Sequence, residues 1–193
     1  KTIEILKMIR SLAGLHLKTD SIGIAVEKTA KIIYALKSYI QNDTGSTMQK
    51  RDIIPGIEAV LTIYQNYIKQ GIEVIRKYEE IPKIPCIYDE INQVWTNLIF
   101  NAVQVMRMKG TLTIVVRETN KNMVLISIAD TGSGIPEDVL PKIFDPFFST
   151  KIAGEGSGLG LYICKQIIEK HGGTIDVKTE TGSTVFSVEL PVS

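Results

Sequence analysis

Apolar residues recur along this chain with two different spacings, one typical of helices and one typical of strands. Between residues 22 and 40 they follow steps of four and three, at Ile22, Val26, Thr29, Ile33, Leu36 and Ile40. A shorter helical pattern precedes them in residues 1–14. The two patterns predict a helical hairpin over residues 1–42. Because a hairpin of this size buries too little apolar surface alone, we expect it to form a homodimer.

The remainder of the chain mixes helical and alternating patterns after a polar linker at residues 43–50. We predict a short strand at Asp52–Ile54, a helix from Pro55 to Gly71, and a helix capped by Asp89. A further helix is predicted at residues 161–170. The other predicted strands cover residues 72–78, 111–118, 123–130, 174–179 and 184–190.

Composition narrows the possible partners and compartments. Lys and Arg total 22 against 21 Asp and Glu, so no bulk charge favours nucleic acid. No apolar run approaches the roughly 18 residues of a membrane span, so we expect no membrane contact by this chain. Cys86 and Cys164 lie in apolar stretches, which predicts buried free thiols in a reducing, cytoplasmic compartment. The chain starts at Lys1 rather than Met, which suggests a piece of a longer protein.

A candidate binding loop follows the apolar strand that ends at Asp130. Gly132 and Gly134 lie within this loop and let a ligand approach the backbone closely. A carboxylate only accepts hydrogen bonds, so Asp130 suits an amino group on a planar ligand. A β-turn held by the Asp130 side chain explains the same residues equally well.

Two other features suit a phosphate-bearing ligand. Asn97 and Asn101 lie one helical turn apart, and an amide offers an oxygen for Mg²⁺ and a nitrogen for phosphate. Decoration of a helix surface is the plainer explanation. The glycine-rich residues 154–160 run directly into a helix, whose free N–H groups favour anions. Residues 131–157 form a long loop, which indicates a lid.

Together these motifs resemble those of sensor histidine kinases. Residues 97–102 are similar to the N box of that family, and residues 130–134 to its first glycine box. Residues 144–148 resemble the F box, and residues 156–160 the second glycine box. The resemblance implies an α/β (α+β) two-layer sandwich with a mixed sheet and a long ATP lid, preceded by the helical hairpin. The ATP-binding domain would cover residues 51–193.

The resemblance also assigns roles to residues. Asp130, supported by Thr184, would bind the adenine amino group, and Asn101 would hold Mg²⁺. Asn97 would be the catalytic residue. It occupies the position at which related ATPases carry a Glu that activates water, and an amide cannot act as that base. Gln104 departs from the family, whose members often carry a basic residue there. The full set of implied nucleotide contacts is Asn97, Asn101, Gln104, Asp130, Gly132, Gly134, Ile135, Lys151, Gly156, Ser157, Gly158, Leu159, Gly160 and Thr184.

The function implied by the resemblance is an ATP-dependent protein-histidine kinase of a two-component system. Its γ-phosphoryl group would pass to a His and then to an Asp of a response-regulator receiver domain. Neither His16 nor His171 lies in the family's acceptor motif. We therefore expect the acceptor upstream of Lys1 and no autophosphorylation by this chain. The alternatives are a related superfamily ATPase, an anti-sigma-factor serine kinase, or a degenerate dimeric ATP-binding scaffold.

Overall fold

The structure is a computed structural model that describes residues 47–107, 109–119, 121–151 and 157–193. The predicted hairpin with its dimer seam, His16, the first half of the predicted linker (residues 43–46), and Gly156 lie outside these residues. The division into residues 1–42, 43–50 and 51–193 therefore stays a prediction.

A five-stranded sheet forms one layer of the fold, with strand order β2-β4-β5-β7-β6. Strands β2 and β4 are parallel and the other neighbours are antiparallel, so the sheet is mixed as predicted. A separate antiparallel pair joins β1 to β3. The strands are β1 (Gln49–Arg51), β2 (Ile72–Tyr78), β3 (Ile84–Cys86), β4 (Gly110–Thr119), β5 (Met123–Asp130), β6 (Thr174–Glu180) and β7 (Ser183–Pro191).

Helices supply the second layer. They are α1 (Ile54–Ile63), the short α2 (Gln65–Ile68), α3 (Tyr88–Val105) and α4 (Gly160–Lys170), with a 3₁₀ turn at Leu140–Lys142. The inward residues of α1, α3 and α4 share one apolar core with alternate residues of the strands. Of the described helices, none has the length and apolar character needed to cross a membrane.

Three local predictions were wrong. The strand predicted at Asp52–Ile54 lies three residues earlier, because the Asp52 carboxylate accepts the Ile54 N–H at 3.0 Å where α1 begins. The helix predicted up to Gly71 breaks at Tyr64 into α1 and α2. Asp89 does not cap α3, which begins at Tyr88; it lies in the first turn, where its charge favours the helix dipole.

The core face of the sheet is built from rows of residues that face each other across the strands. Val177, Phe186 and Ile128 form one such row on β6, β7 and β5. The row at the end of the sheet, by contrast, is polar and consists of Thr179, Thr184 and Asp130. The layered core therefore ends in hydrogen-bonding groups at this edge. Cys86 and Cys164 are buried free thiols, as predicted.

Candidate nucleotide-binding site

Asp130 is a buried carboxylate at the polar end of the sheet, with 4% of its surface exposed. Burial raises the pKa of this carboxyl, and the hydrogen bond that Oδ1 accepts from the Gly132 N–H at 2.9 Å partly offsets that rise. No described residue donates a hydrogen bond to the other carboxylate oxygen. Asp130 therefore offers an acceptor to a ligand with N–H groups.

The glycines after Asp130 allow the loop to lie tightly against its neighbours. A Cβ on Gly132 would lie 2.5 Å from Val105 Cγ1, a side-chain atom of α3. A Cβ on Gly134, whose φ is +78°, would lie 2.4 Å from the Glu180 carbonyl oxygen. A side chain at either position would force the loop or its neighbours to move, so both glycines have a packing role. The close approach of a ligand to them stays a prediction.

Two threonines complete this end of the site. Thr184 is buried and lies directly opposite Asp130 in the pairing of β5 with β7. Thr179 accepts a hydrogen bond from the Ile135 N–H at 2.8 Å and so fixes the loop at Ile135. Sequence reasoning missed Thr179. A signal was present: Ile175 and Val177 point inward on β6, and Thr179 continues their alternation.

The amides of α3 lie towards the other end. Asn97 is nearly buried, and its Nδ2 donates to the Gly160 carbonyl at 3.3 Å, which connects α3 to the first residue of α4. The Cys164 thiol donates to the Val94 carbonyl at 3.9 Å, and burial raises its pKa to about 12 while the Asn97 side chain lowers it in part. Asn97 therefore lies where the glycine-rich segment enters α4.

Asn101, Gln104 and Lys151 meet at one point. The Lys151 ammonium donates to Asn101 Oδ1 at 3.4 Å and also to Gln104 Oε1. Two neutral amide oxygens thus converge on a cation. Oxygen atoms are the ligands that Mg²⁺ prefers. No cluster of three or more His, Cys, Asp or Glu residues in the described part of the chain could hold a metal ion. The Lys151 ammonium lies between these two amide oxygens, and Mg²⁺ binding at Asn101 stays a prediction.

The glycine-rich segment delivers backbone groups to the start of α4. Gly158, with φ +67°, packs so closely on Phe147 that a Cβ would lie 2.3 Å from its carbonyl carbon. The Ser157 hydroxyl accepts the Leu159 N–H at 3.4 Å. No side chain caps the N-terminus of α4 at Gly160, so its free N–H groups can bind an anion.

Helix α3 connects the carboxylate end of the candidate site to its amide end. Gly132 packs against Val105, and Asn101 and Asn97 follow at steps of four residues. Each step corresponds to about 6 Å along a helix. The carboxylate end and the amide end are therefore about 12 Å apart along α3, an arrangement suited to an elongated ligand with a base and a phosphate tail.

Residues 87–193 match the family model of the "Histidine kinase-, DNA gyrase B-, and HSP90-like ATPase". This chain belongs to that ATPase family. Sensor histidine kinase ZraS of Salmonella typhi is 41% identical over 115 residues, which cover 59% of this chain and 24% of ZraS. The chain thus spans about a quarter of the length of this relative.

Solved structures agree with the family. The catalytic domain of histidine kinase ThkA superposes with a TM-score of 0.68 and 31% identity, covering 75% of this chain and 95% of that one. ThkA in complex with the response regulator TrrA gives a TM-score of 0.69 and 26% identity, covering 89% and 50%. The predicted family and two-layer fold are confirmed. The roles of individual site residues stay predictions.

Proposed function

We propose that this chain is the ATP-binding catalytic domain of a sensor histidine kinase in a two-component system. The observation that carries the proposal is the arrangement along α3, which joins a buried carboxylate at Asp130 to a cation site at Asn101. Bound ATP would supply the phosphoryl group. The chain's own residues would bind the nucleotide, orient it and offset its charge.

At the base end, Asp130 selects for an amino group. Its free carboxylate oxygen accepts a hydrogen bond from the exocyclic N–H₂ of adenine. Guanine presents a carbonyl at the equivalent position, and two acceptors facing each other repel. The absence of side chains at Gly132 and Gly134 keeps the loop against α3 and β6, with Ile135 held by Thr179.

At the phosphate end, Asn101 Oδ1 would hold Mg²⁺, which would offset the charge of the phosphates. The same oxygen accepts a hydrogen bond from the Lys151 ammonium, so we infer that Lys151 would leave Asn101 in the metal-bound site. Lys151 is then able to neutralise a phosphate, with Gln104 as a neutral neighbour. N–H groups of the glycine-rich residues 156–160 would add further donors, once the Leu159 N–H leaves the Ser157 hydroxyl that it now contacts.

Asn97 favours phosphoryl transfer over hydrolysis. An amide has no basic group that could take a proton from water. Its Nδ2 is bound to the Gly160 carbonyl, which fixes the side chain beside the start of α4. A site without a general base at this position protects ATP until an acceptor His arrives.

The proposed partners are a response-regulator receiver domain and a second copy of this chain. The ThkA–TrrA complex supports the first of these, since that relative binds a response regulator.

The homodimer rests on the heptad pattern of residues 22–40. Sedimentation of the wild type and Ile33→Asp tests it: a wild type that stays monomeric at high concentration contradicts the dimer. We also propose a cytoplasmic location.

Competition against a fluorescent ATP analogue tests the function. We expect ATP to bind with a micromolar-to-millimolar Kd, more tightly with Mg²⁺ than with a chelator. Asn101→Leu should lose the gain that Mg²⁺ provides while keeping the metal-free affinity. No binding at millimolar ATP would contradict the proposal. Sustained ATP hydrolysis without any acceptor would favour a related ATPase instead.

A further inference from the structure

Thr179 lies at the polar end of the sheet, on the opposite side of Thr184 from Asp130. We propose that Thr179 is a positioning residue that fixes the direction of the Thr184 hydroxyl proton and thereby sets the selectivity for adenine. This inference rests on the nucleotide-binding function proposed above and extends it to a residue that does not touch the base.

The hydrogen bonds of Thr179 account for its only proton. A threonine hydroxyl has one proton to donate and can accept two hydrogen bonds. Thr179 Oγ1 accepts the Ile135 N–H at 2.8 Å and lies 3.1 Å from the Ser183 carbonyl oxygen. Because a carbonyl oxygen only accepts, the Thr179 proton points to Ser183.

The direction of the Thr184 hydroxyl proton follows from that of the Thr179 proton. Thr184 Oγ1 lies 3.4 Å from Thr179 Oγ1. Since Thr179 has already given its proton to Ser183, Thr184 is the donor in this contact. The remaining lone pairs of Thr184 are then available to accept, and its proton is unavailable to a ligand.

Asp130 and Thr184 consequently form a pair of acceptors. They face each other in the β5–β7 register, and both are buried. Directly opposite residues of antiparallel strands have Cβ atoms roughly 5 Å apart. An exocyclic amino group carries two N–H donors and fits between two acceptors. A carbonyl at that position meets acceptors only.

A simpler role for Thr179 predicts a different result. If Thr179 only anchors the loop through the Ile135 N–H, its loss weakens every purine nucleotide by the same factor. If it orients Thr184, its loss frees the Thr184 proton to donate to a carbonyl. The preference for adenine over hypoxanthine then falls, which a loosened loop alone does not cause.

Inosine triphosphate is the matched probe, because it replaces the 6-amino group of ATP by a carbonyl. The dissociation constants of both nucleotides are measured for the wild type, Thr179→Val and Thr179→Ser. Val keeps the shape without the hydroxyl, whereas Ser keeps the hydroxyl. We expect Thr179→Val to lower the ATP-over-inosine preference about three- to tenfold, the range of one neutral hydrogen bond. Thr179→Ser should keep it within about twofold of the wild type.

The outcomes are separable. Equal weakening of both nucleotides by Thr179→Val, or no change, overturns the orienting role while the proposed function survives. A wild type that binds no ATP overturns the function and this inference together. Fluorescence of the single tryptophan, the buried Trp95, reports folding of each variant. If Thr179→Val does not fold, Thr179→Ala replaces it, and either change should leave the preference unaltered in a Thr184→Val background.

Discussion

Asp130, which we propose selects the nucleotide base, carries a cost in stability. Burial raises the pKa of its carboxyl despite the hydrogen bond from Gly132. Because the folded-state pKa lies above the unfolded value, the folded protein binds more protons in the window between the two values. The contribution of Asp130 to stability therefore decreases as pH rises through that window, and ionised Asp130 is unfavourable at neutral pH.

Replacing Asp130 by Asn separates these two effects. In Asp130→Asn the new amide oxygen can still accept the Gly132 N–H, but the amide nitrogen presents a donor to the adenine amino group. We expect ATP affinity to fall about 10- to 100-fold, the value of a hydrogen bond to a charged group. Thermal melting at pH 7 should show an equal or higher midpoint, and the difference from wild type should shrink at acidic pH. Unchanged ATP affinity with a lowered midpoint would contradict the assignment.

The sequence predicted the loop after β5 but not the residues that face each other across strands. A carboxylate and two glycines after an apolar strand define such a loop locally, at Asp130, Gly132 and Gly134, whose ligand contacts stay a prediction. Thr179 was missed because its partner, Thr184, is set by the pairing of β6 with β7. Alternation along one strand does not reveal which residue faces it on the next.

At the scale of elements, two glycines with similar φ values allow the effect of backbone strain to be distinguished from the effect of close packing. Gly134 and Gly182 have φ values of +78° and +86°. A Cβ on Gly134 would meet the Glu180 carbonyl at 2.4 Å, whereas a Cβ on Gly182 would meet nothing within 4 Å. Substitution by Ala imposes backbone strain at both positions, but only at Gly134 does it push the loop away from β6.

We predict that Gly182→Ala lowers the thermal midpoint by about 2–8 °C, corresponding to roughly 1–2 kcal/mol of left-handed strain, and leaves ATP affinity unchanged. Gly134→Ala should lower the midpoint further and weaken ATP at least tenfold, because the loop after Asp130 is displaced. Calorimetry and nucleotide titration of both variants measure this. Equal losses of ATP affinity in the two would show that the close approach at Gly134 is unimportant.

Element boundaries were predicted less well than element types, and α3 shows why. The sequence offered Asp89 as the N-cap, yet the N-cap is Ile87, two residues earlier, and the helix begins at Tyr88. The N–H of Ile87, the residue before it, donates to His171 Nε2 at 3.0 Å. A side chain from the end of α4 thus satisfies a group at the start of α3. Such a tertiary hydrogen bond leaves no signal in the local sequence.

At the scale of the whole molecule, spacing patterns predicted strands but not their order. The sheet places β2 beside β4 and β7 between β5 and β6, and alternation carries no information about such pairing. The two-layer fold was predicted only through the resemblance of the ordered motifs to a known family. That resemblance worked because each motif occupies a structural context of its own: Asn97 on a helix, Asp130 at a strand end, and Gly160 at a helix start.

The tertiary role of His171 leads to the last prediction. Its Nδ1 donates to the Ile167 carbonyl at 2.7 Å, its Nε2 accepts the Ile87 N–H, and only 4% of its surface is exposed. A histidine whose two nitrogens are both engaged cannot attack a phosphoryl group unless the start of α3 is disrupted. His171 is therefore a structural residue, and this chain should bind ATP without phosphorylating itself.

Incubation with γ-labelled ATP tests this for the wild type, His171→Gln and His16→Gln. We expect none of them to carry phosphohistidine, which is recognised as a label that is stable in alkali and lost in acid. His171→Gln should lower the thermal midpoint, because at least one buried hydrogen bond is lost, at about 1–3 kcal/mol for each group left unsatisfied. His16→Gln serves as the control for the other histidine of the chain. Stoichiometric labelling that disappears with His171→Gln would contradict the structural role, whereas labelling that disappears only with His16→Gln would place the acceptor within this chain.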